Sequence, residues 1–216
     1  MEIDHIFICI EDPEKLAKIL TEFGLTEGEP NSHIGQGTAN RRFFFQNFCL
    51  ELLFLQQVGR ALSPLTARTT LHARLTDKSL DVSPFGICFR PSPNNIKVEN
   101  YSTWQYFPLN IPKTFIIDIF DAPISEPLYE YMDFLTPSSR QIHVQRRHSL
   151  GVKNLTSATI HTPFAKLDSE LKQDLEKLEI IKFKTNETHI LELEFDHQRQ
   201  GQRQDFRPEL PLIIKW

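Results

Sequence analysis

The stretch IDHIFICIEDPEKLAKILTEFGL, residues 3–25, predicts a strand followed by a helix. Residues 3–10 are mostly apolar and rich in isoleucine, as is typical of a β-strand, with two polar side chains, Asp4 and His5, near the start. Because successive side chains of a strand point to opposite faces, we expect His5, Phe7 and Cys9 to share one face. His5 is therefore predicted to lie among apolar neighbours.

The helix that follows is marked at both ends. Asp12 is a suitable N-cap, and Pro13 fits the first helical position, where an N–H group has no partner inside the helix. Gly24 predicts a left-handed C-cap. Between them, apolar side chains recur at helical spacing and share one face: Leu16, Ile19, Leu20 and Phe23.

The next stretch, NSHIGQGTANRRFFFQNFCLELLFL at residues 31–55, predicts two adjacent antiparallel strands, RRFFFQ and FCLELLFL, separated by Asn47. A polar segment with turn chemistry, residues 27–37, precedes them. Its last three residues, GQG, contain two of the eight glycines of the chain, Gly35 and Gly37. The element order as far as Leu55 is therefore predicted to be β-α-β-β-β.

The same order recurs at the end of the chain, where LTSATIHTPF, the helical DSELKQDLEKL and three further strands follow one another. In the middle, FGICFRPS, STWQYFPL and KTFIIDIF are strand-like, and the rest is irregular. We predict an α+β fold in one compact domain, with repeated β-α-β-β-β units forming curved, mostly antiparallel sheets around a cavity. The units are residues 1–58, residues 59–150 as an eroded second unit with loops, and residues 151–216.

Composition excludes some classes of partner. The net charge of the 216 residues is −4, so no basic field attracts nucleic acid. No stretch approaches the ~20 apolar residues that a membrane span needs, and the N-terminus lacks the pattern of a signal peptide. The three cysteines have no motif spacing, which favours a reducing compartment. We therefore expect a cytoplasmic protein that contacts neither nucleic acid nor membrane.

Several short segments, in this order, resemble one protein superfamily. They are Asp4-His5, HIGQGTANR at residues 33–41, CLELL around Glu51, FGICFRPS from Phe85, Trp104 with its strand, FIIDIF around Asp118, and HSLG at residues 148–151. Together with the repeated units they resemble the vicinal oxygen chelate superfamily, which includes glyoxalase I, extradiol dioxygenases and bleomycin-binding proteins. The likeness is strongest to its glyoxalase-like domain family.

The resemblance implies that two units pair into a curved sheet around a divalent metal. The ligands would be a histidine of a first strand and a glutamate of a fourth strand, which correspond here to His5 and Glu51. The partner unit would supply the rest. Asp118 takes that place if the middle segment is the partner, although FGICFRP has no histidine. If the C-terminal unit is the partner, His161 lies on its first strand.

Glu51 attracts attention on physical grounds alone. Strand alternation places it among apolar side chains, where a carboxylate must be paired, hydrogen-bonded or bound to metal. The alternative to a functional role is a salt bridge to a local arginine such as Arg41. For His5 the alternative to a metal ligand is a hydrogen-bonded histidine at a strand end.

Five other residues are candidates for catalysis or substrate binding. His33 precedes the two loop glycines, which permit close backbone approach, so it is predicted to line the cavity mouth; a plain turn is the alternative. Substrate contacts are predicted for Arg41, Arg90, Trp104 and His148. An arginine can clamp an anionic group, and a tryptophan can contact a flat molecule. Structural roles remain the alternative for Arg90 and Trp104, and for His148 the alternative is an exposed loop.

Two functions of different class follow. The first is a metal-assisted enzyme, an isomerase, lyase or dioxygenase acting on a small oxygenated molecule. His5, Glu51 and Asp118 would hold the metal. If metal is absent, Glu51 or His33 would be the catalytic base. The second is a metal-independent protein that binds or sequesters a small molecule in a phenylalanine-lined cavity, or else a vestigial module. The long middle segment could close the cavity or form the contact of a homodimer.

Overall fold

The computed structural model describes residues 1–93, 96–109, 112, 114–135, 146–164 and 169–216. Over these residues the chain has thirteen strands in two mixed sheets and four short helices, which confirms the predicted α+β class. No helix in the described ranges is long and apolar enough to cross a membrane.

The strands follow one another along the chain as β1 (Glu2–Cys9), β2 (Asn31–His33), β3 (Thr38–Phe44), β4 (Cys49–Leu55), β5 (Phe85–Arg90), β6 (Thr103–Tyr106), β7 (Ile117–Phe120), β8 (Leu128–Tyr131), β9 (Leu155–Thr162), β10 (Lys182–Thr185), β11 (Ile190–Phe195), β12 (Arg203–Asp205) and β13 (Leu212–Lys215). The helices are α1 (Pro13–Phe23), α2 (Val58–Ala61), α3 (Leu71–Thr76) and α4 (Glu170–Lys177).

The first unit, from β1 to β4, has the predicted β-α-β-β-β order. The side chain of Asp12 accepts a hydrogen bond from the backbone N–H of Lys15 at 2.9 Å, and Pro13 opens α1. Gly24 ends the helix in a left-handed conformation with φ of +113°. Both caps therefore lie where the sequence predicted them, and α1 buries Leu16 and Leu20 against the sheet.

The first unit and the middle segment form one eight-stranded sheet in the order β2-β3-β4-β1-β5-β8-β7-β6. Each half repeats the same pairing: its first strand runs parallel to its last strand, and the remaining pairs are antiparallel. The antiparallel pair β1–β5 joins the halves. The middle segment is therefore the partner of the first unit, with a short 3-10 turn at Val98–Asn100 between β5 and β6.

The C-terminal unit forms its own five-stranded sheet in the order β10-β9-β11-β13-β12. Its first strand, β9, pairs with β10 and β11, whereas β1 of the first unit pairs with the last strand of that unit. It also contains the additional short strand β12. The C-terminal unit thus repeats the order of strands and helix of the first unit along the sequence, but its strands pair differently.

The eight-stranded sheet has two different faces, because its side chains alternate. The core face carries Ile6, Ile8, Leu50, Phe85 and Ile87, which belong to one continuous apolar cluster with α1 and with residues of the C-terminal sheet. The opposite face, called here the cavity face, carries His5, Phe7, Glu51, Cys88 and Glu130. The C-terminal sheet therefore packs on the core face together with α1, and the cavity face lies on the opposite side.

The eight-stranded sheet is curved so that its two edges approach each other. β2 and β6 are the edge strands. Leu109, just after β6, packs against Gly35, just after β2: a Cβ placed on Gly35 would lie 2.7 Å from a methyl group of Leu109. The segments that follow the two edge strands thus meet.

Candidate functional site

A cavity of about 1210 Å³ lies over the cavity face and is lined by both halves of the sheet. Its polar wall includes Asp4, His5, His33, Asn40, Arg42, Glu51 and Glu130. Its apolar wall includes Phe7, Leu53, Phe54, Leu71, Tyr106, Ile117, Met132 and Phe134. The lining of the cavity therefore combines polar and apolar side chains, as ligand sites commonly do.

Three side chains with metal-ligating atoms meet on the central strands. His5 of β1 lies directly opposite Cys88 of β5, and Cys88 lies directly opposite Glu130 of β8. One ligand atom from each of the three lies within 4.8 Å of the other two. Cys88 and Glu130 are buried, and the side chain of His5 is 12% exposed. The pairing of β1, β5 and β8 thus places imidazole, thiol and carboxyl groups together.

An irregularity in β1 determines how His5 is presented. The pair Ile3–Phe89 is followed directly by His5–Cys88, so Asp4 is an extra residue in the ladder, a β-bulge. A bulge re-aims side chains, and here both Asp4 and His5 line the cavity. Nδ1 of His5 lies 2.8 Å from Oδ1 of the fully buried Asp4.

Glu51 lies on the cavity face beside this cluster, because it is the strand partner of Phe7, two residues beyond His5. It is only 8% exposed, and its Oε2 accepts a hydrogen bond of 2.6 Å from Nδ2 of Asn40. The alternative partner considered from the sequence, Arg41, instead pairs with Glu27 at 2.7 Å and Glu14 at 2.8 Å. An amide, and not Arg41, therefore holds Glu51.

The electrostatic environment shifts the pKa of all three groups of the cluster. Burial raises the pKa of the Cys88 thiol, and the charge of His5 opposes this shift. Burial, reinforced by the negative charge of Glu51, raises the pKa of Glu130 to about 7, although His5 opposes this shift. Burial disfavours the imidazolium form of His5, but the interaction with Cys88, followed by that with the negative charge of Glu51, outweighs burial and raises the pKa of His5. The cluster therefore holds protons near neutral pH.

His33 lies at the end of β2 and lines the cavity, as predicted. Its Nδ1 is 2.8 Å from Oγ1 of Thr38, and burial lowers its pKa.

The loop that follows His33 packs against α2 at one of its glycines. Gly37, with φ of +83°, packs so closely on α2 that a Cβ would lie 2.4 Å from the carbonyl oxygen of Gln57. The loop thus turns the chain and seats it against α2, and His33 stands at its start.

Three of the residues predicted to contact substrate have other surroundings. The guanidinium group of Arg90 is bound to Glu2 at 2.7 Å and Asp4 at 2.9 Å. His148 is buried, with Nδ1 accepting from the N–H of Thr26 at 2.9 Å and Nε2 donating to the carbonyl of Phe44 at 3.0 Å. Trp104 lies under the guanidinium group of Arg68, at 4.5 Å, in a smaller cavity of about 380 Å³. Arg41 does line the main cavity, within its two ion pairs.

The position predicted for Asp118 requires a correction. Asp118 belongs to β7, which is the third strand of the middle unit, and the fourth strand is β8. Ile117, its neighbour on β7, lines the cavity, so Asp118 points to the other face of the strand. The carboxylate on the fourth strand is Glu130. The strand β8 has only four residues, LYEY, and lies in a stretch that the sequence indicates to be irregular, so it was not predicted as a strand.

Sequence reasoning therefore missed Cys88, Glu130 and Asn40. A signal existed for Glu130, because it is a single acidic residue between two tyrosines in an alternating strand, as Glu51 is between two leucines. For Cys88 the signal was its place in FGICFR, the strand in which no histidine was found. Its position opposite His5 depends on strand register, which the letters alone do not define.

The fold of this chain resembles that of a solved structure. No family model matches the chain, and no curated protein matches it. Among solved structures, the chain is similar to the crystal structure of a hypothetical protein from Staphylococcus aureus, with a TM-score of 0.57 and 11% sequence identity. The similarity covers 99% of this chain and 97% of that chain. It concerns the fold alone and extends over nearly the whole length of both proteins.

Proposed function

We propose that this chain is a metal-dependent enzyme of the glyoxalase-like type in the vicinal oxygen chelate superfamily, acting on a small oxygenated molecule as an isomerase, lyase or dioxygenase. One observation carries the proposal. His5, Cys88 and Glu130 bring three ligand atoms within 4.8 Å of one another at the centre of the cavity face. Glu51 stands next to them on the adjoining strand.

The donor atoms suit a divalent transition metal. Imidazole nitrogen, thiolate sulfur and carboxylate oxygen are together the ligand types that Zn²⁺ takes, and a protein thiolate disfavours Mg²⁺ and Ca²⁺. Three protein ligands with a further position open to substrate is the usual arrangement of a catalytic zinc site. A metal bound here would supply a Lewis acid that stabilises an enediolate or another oxyanion.

Two residues near the cluster could move a proton of the substrate. Glu51 is held at Oε2 by Asn40, which leaves its other carboxylate oxygen for a proton at the cavity surface. His33 is kept neutral at pH 7 by burial, and a neutral imidazole can accept a proton. Both residues therefore remain candidates for the catalytic base.

Elemental analysis of tag-free protein tests this proposal. Wild type is expected to retain close to one equivalent of zinc or a similar metal after purification or reconstitution. Glu130→Gln and Cys88→Ser are expected to lose most of it, because each removes one of three ligands. Asp118→Asn is the matched control, since Asp118 lies on the other face of β7.

Two results would count against the metal site. Wild type that binds no metal even after reconstitution would overturn the proposal outright. Equal loss of metal in Asp118→Asn and Glu130→Gln would show that the ligands are not those of the cluster. If wild type does retain the metal, a screen of chelating dicarbonyl, diol and catechol compounds would define the reaction.

A second candidate is a metal-independent protein that binds or sequesters an apolar small molecule. The apolar wall of the cavity, which includes Phe7, Leu53, Phe54, Tyr106 and Phe134, favours it. Such a protein would gain thermal stability from aromatic ligands after exhaustive treatment with chelator. No stabilisation by any ligand, with or without metal, would leave a vestigial module.

The cellular location and the partners of the protein are also part of the proposal. All three cysteines are buried and free, which supports a cytoplasmic location. A small molecule is the expected partner, and a homodimer remains a prediction that sedimentation analysis can test.

A further inference from the structure

Asp4 and Arg90 are buried charged residues that the proposed chemistry does not use directly. Asp4 is 0% exposed and Arg90 is 5% exposed. A buried charge is stable only when it is paired and hydrogen-bonded, so both must have a structural or functional reason to be there. Their contacts connect them to His5.

The contacts form one chain of hydrogen bonds. Oε1 of Glu2 accepts from Nε of Arg90 at 2.7 Å, and Nη1 of Arg90 donates to Oδ2 of Asp4 at 2.9 Å. Oδ1 of Asp4 then lies 2.8 Å from Nδ1 of His5. A second arm of Arg90, Nη2, donates to the carbonyl of Asn47 at 3.3 Å and so anchors the guanidinium group to the turn before β4.

The chemistry of this chain fixes the orientation of His5. A carboxylate bound to an arginine can only accept hydrogen bonds, so Nδ1 of His5 carries its proton toward Asp4. Nε2 is then the ring nitrogen available to the cluster. Such partners commonly orient the histidines of metal sites and raise their basicity.

We propose that Asp4, held in place by Arg90, is the positioning residue that presents Nε2 of His5 to a metal beside Cys88 and Glu130. The β-bulge is what makes this possible, because in a regular strand the neighbours Asp4 and His5 would point to opposite faces. The positioning role depends on the proposed metal site. The orientation of the His5 ring depends on the hydrogen bonds alone.

The test compares Asp4→Asn with Asp205→Asn. The matched variant removes the carboxylate of another Asp–Arg pair, Asp205 with Arg207, which is partly exposed. Zn²⁺ affinity is measured by competition with a chromophoric chelator. Asp4→Asn is expected to weaken binding 10- to 100-fold with the stoichiometry unchanged, and Asp205→Asn to leave it unchanged.

Proton NMR supplies a readout that a merely structural role of Asp4 would not move. In metal-free wild type, the Nδ1–H resonance of His5 is expected far downfield and in slow exchange with water, and it is assigned by its loss in His5→Gln. In Asp4→Asn it should move upfield. If Asp4→Asn fails to fold, Arg90→Lys, which keeps the Asp4 carboxylate but loosens its anchor, is expected to show smaller changes of the same sign.

The two claims can fail separately. An unchanged His5 resonance together with unchanged Zn²⁺ affinity in Asp4→Asn would overturn the positioning role. Wild type that binds no Zn²⁺ would overturn the proposed function, while the NMR comparison would still decide whether Asp4 orients His5.

Discussion

The role of a single side chain in this protein depends on partners that are distant in the sequence. His148 is an example: the loop before β9 supplies the ring, and Thr26 and Phe44 supply the partners of its two nitrogens. The sequence suggested that this histidine lines a site. Its neighbours instead make it a bridge that joins the end of the middle segment to the first unit.

This bridge predicts a pH dependence of stability. Burial lowers the pKa of His148 in the folded protein, so the unfolded chain binds its proton more tightly. The stabilisation is therefore present above the unfolded pKa of about 6.5 and is lost as the pH falls through and below that value. His148→Asn should destabilise the protein by about 1–3 kcal/mol at pH 7.5, because the carbonyl of Phe44 loses its donor.

Urea denaturation at pH 7.5 and pH 5.5 checks this expectation. The loss of unfolding free energy on acidification should be smaller in His148→Asn than in wild type. His197→Asn, a matched change at an exposed site, should keep the wild-type dependence. An identical pH dependence in wild type and His148→Asn would contradict the bridge.

The residue scale is also where sequence reasoning was most uneven. His5 and Glu51 were selected because polar atoms among apolar strand residues need a partner, and both lie on the cavity face. Their role as metal ligands stays a prediction. Cys88 and Glu130 were not selected, because what makes them notable is the register of three strands, and register is a long-range property.

Elements with local signals were predicted well. Both ends of α1 lie at the residues whose chemistry marks them, Asp12 and Gly24. Short strands without such signals were not: β8, with four residues, was merged into a loop, and β12 was absent from the prediction. Their formation depends on neighbouring strands more than on their own composition.

The pair β1–β5 depends on a glycine for its close packing. Gly86 lies opposite Phe7, and a Cβ at Gly86 would lie 1.9 Å from the phenyl ring. Gly86→Ala should therefore displace the ring and lower the unfolding free energy by about 1–3 kcal/mol. Phe7→Leu should relieve part of this loss in the double variant, so that a double-mutant cycle in urea shows coupling. Additive effects of the two substitutions would mean that the alanine at position 86 does not contact the ring of Phe7.

The glycine loop offers a second comparison between neighbouring sites. Gly35 and Gly37 both have positive φ, +86° and +83°, so alanine is strained at either site by about 1–2 kcal/mol. At Gly37 the new Cβ also meets the backbone of Gln57 and Ala61, whereas at Gly35 it meets only the side chain of Leu109. Gly37→Ala should therefore lower the melting temperature more than Gly35→Ala. Equal shifts would contradict the close packing of the loop on α2.

At the scale of the whole molecule, the two sheets share one core. Phe45 of the first unit packs on Phe195 of β11 with ring centroids 4.4 Å apart, and Trp216 packs on Phe23 of α1 at 5.2 Å. The sequence predicted the units and could not say which two would pair, because strand alternation describes a face and not its partner. The pairing of the first and middle units is decided by the β1–β5 ladder.

A common core predicts that the molecule unfolds as one cooperative unit. The two tryptophans report on different sheets, since Trp104 lies on β6 and Trp216 lies directly after β13. In Trp104→Phe and in Trp216→Phe, the urea unfolding curve from the remaining tryptophan should superimpose on the curve from far-ultraviolet circular dichroism. A Trp216 signal that changes at lower urea than the dichroism would show that the C-terminal sheet unfolds separately.

The division of the eight-stranded sheet into two like halves has a consequence for how this protein can change over evolution. The first and last strands of each half meet at the centre and hold His5, Glu51, Cys88 and Glu130, whereas the outer strands line the walls. Neither half contains the cluster alone, so a lineage must preserve both copies of the unit to keep it. Substitutions in the outer strands alter the walls and leave the central atoms in place. On the proposed function, the small molecule that fits the cavity can therefore change through substitutions in the walls, while the four central side chains are retained.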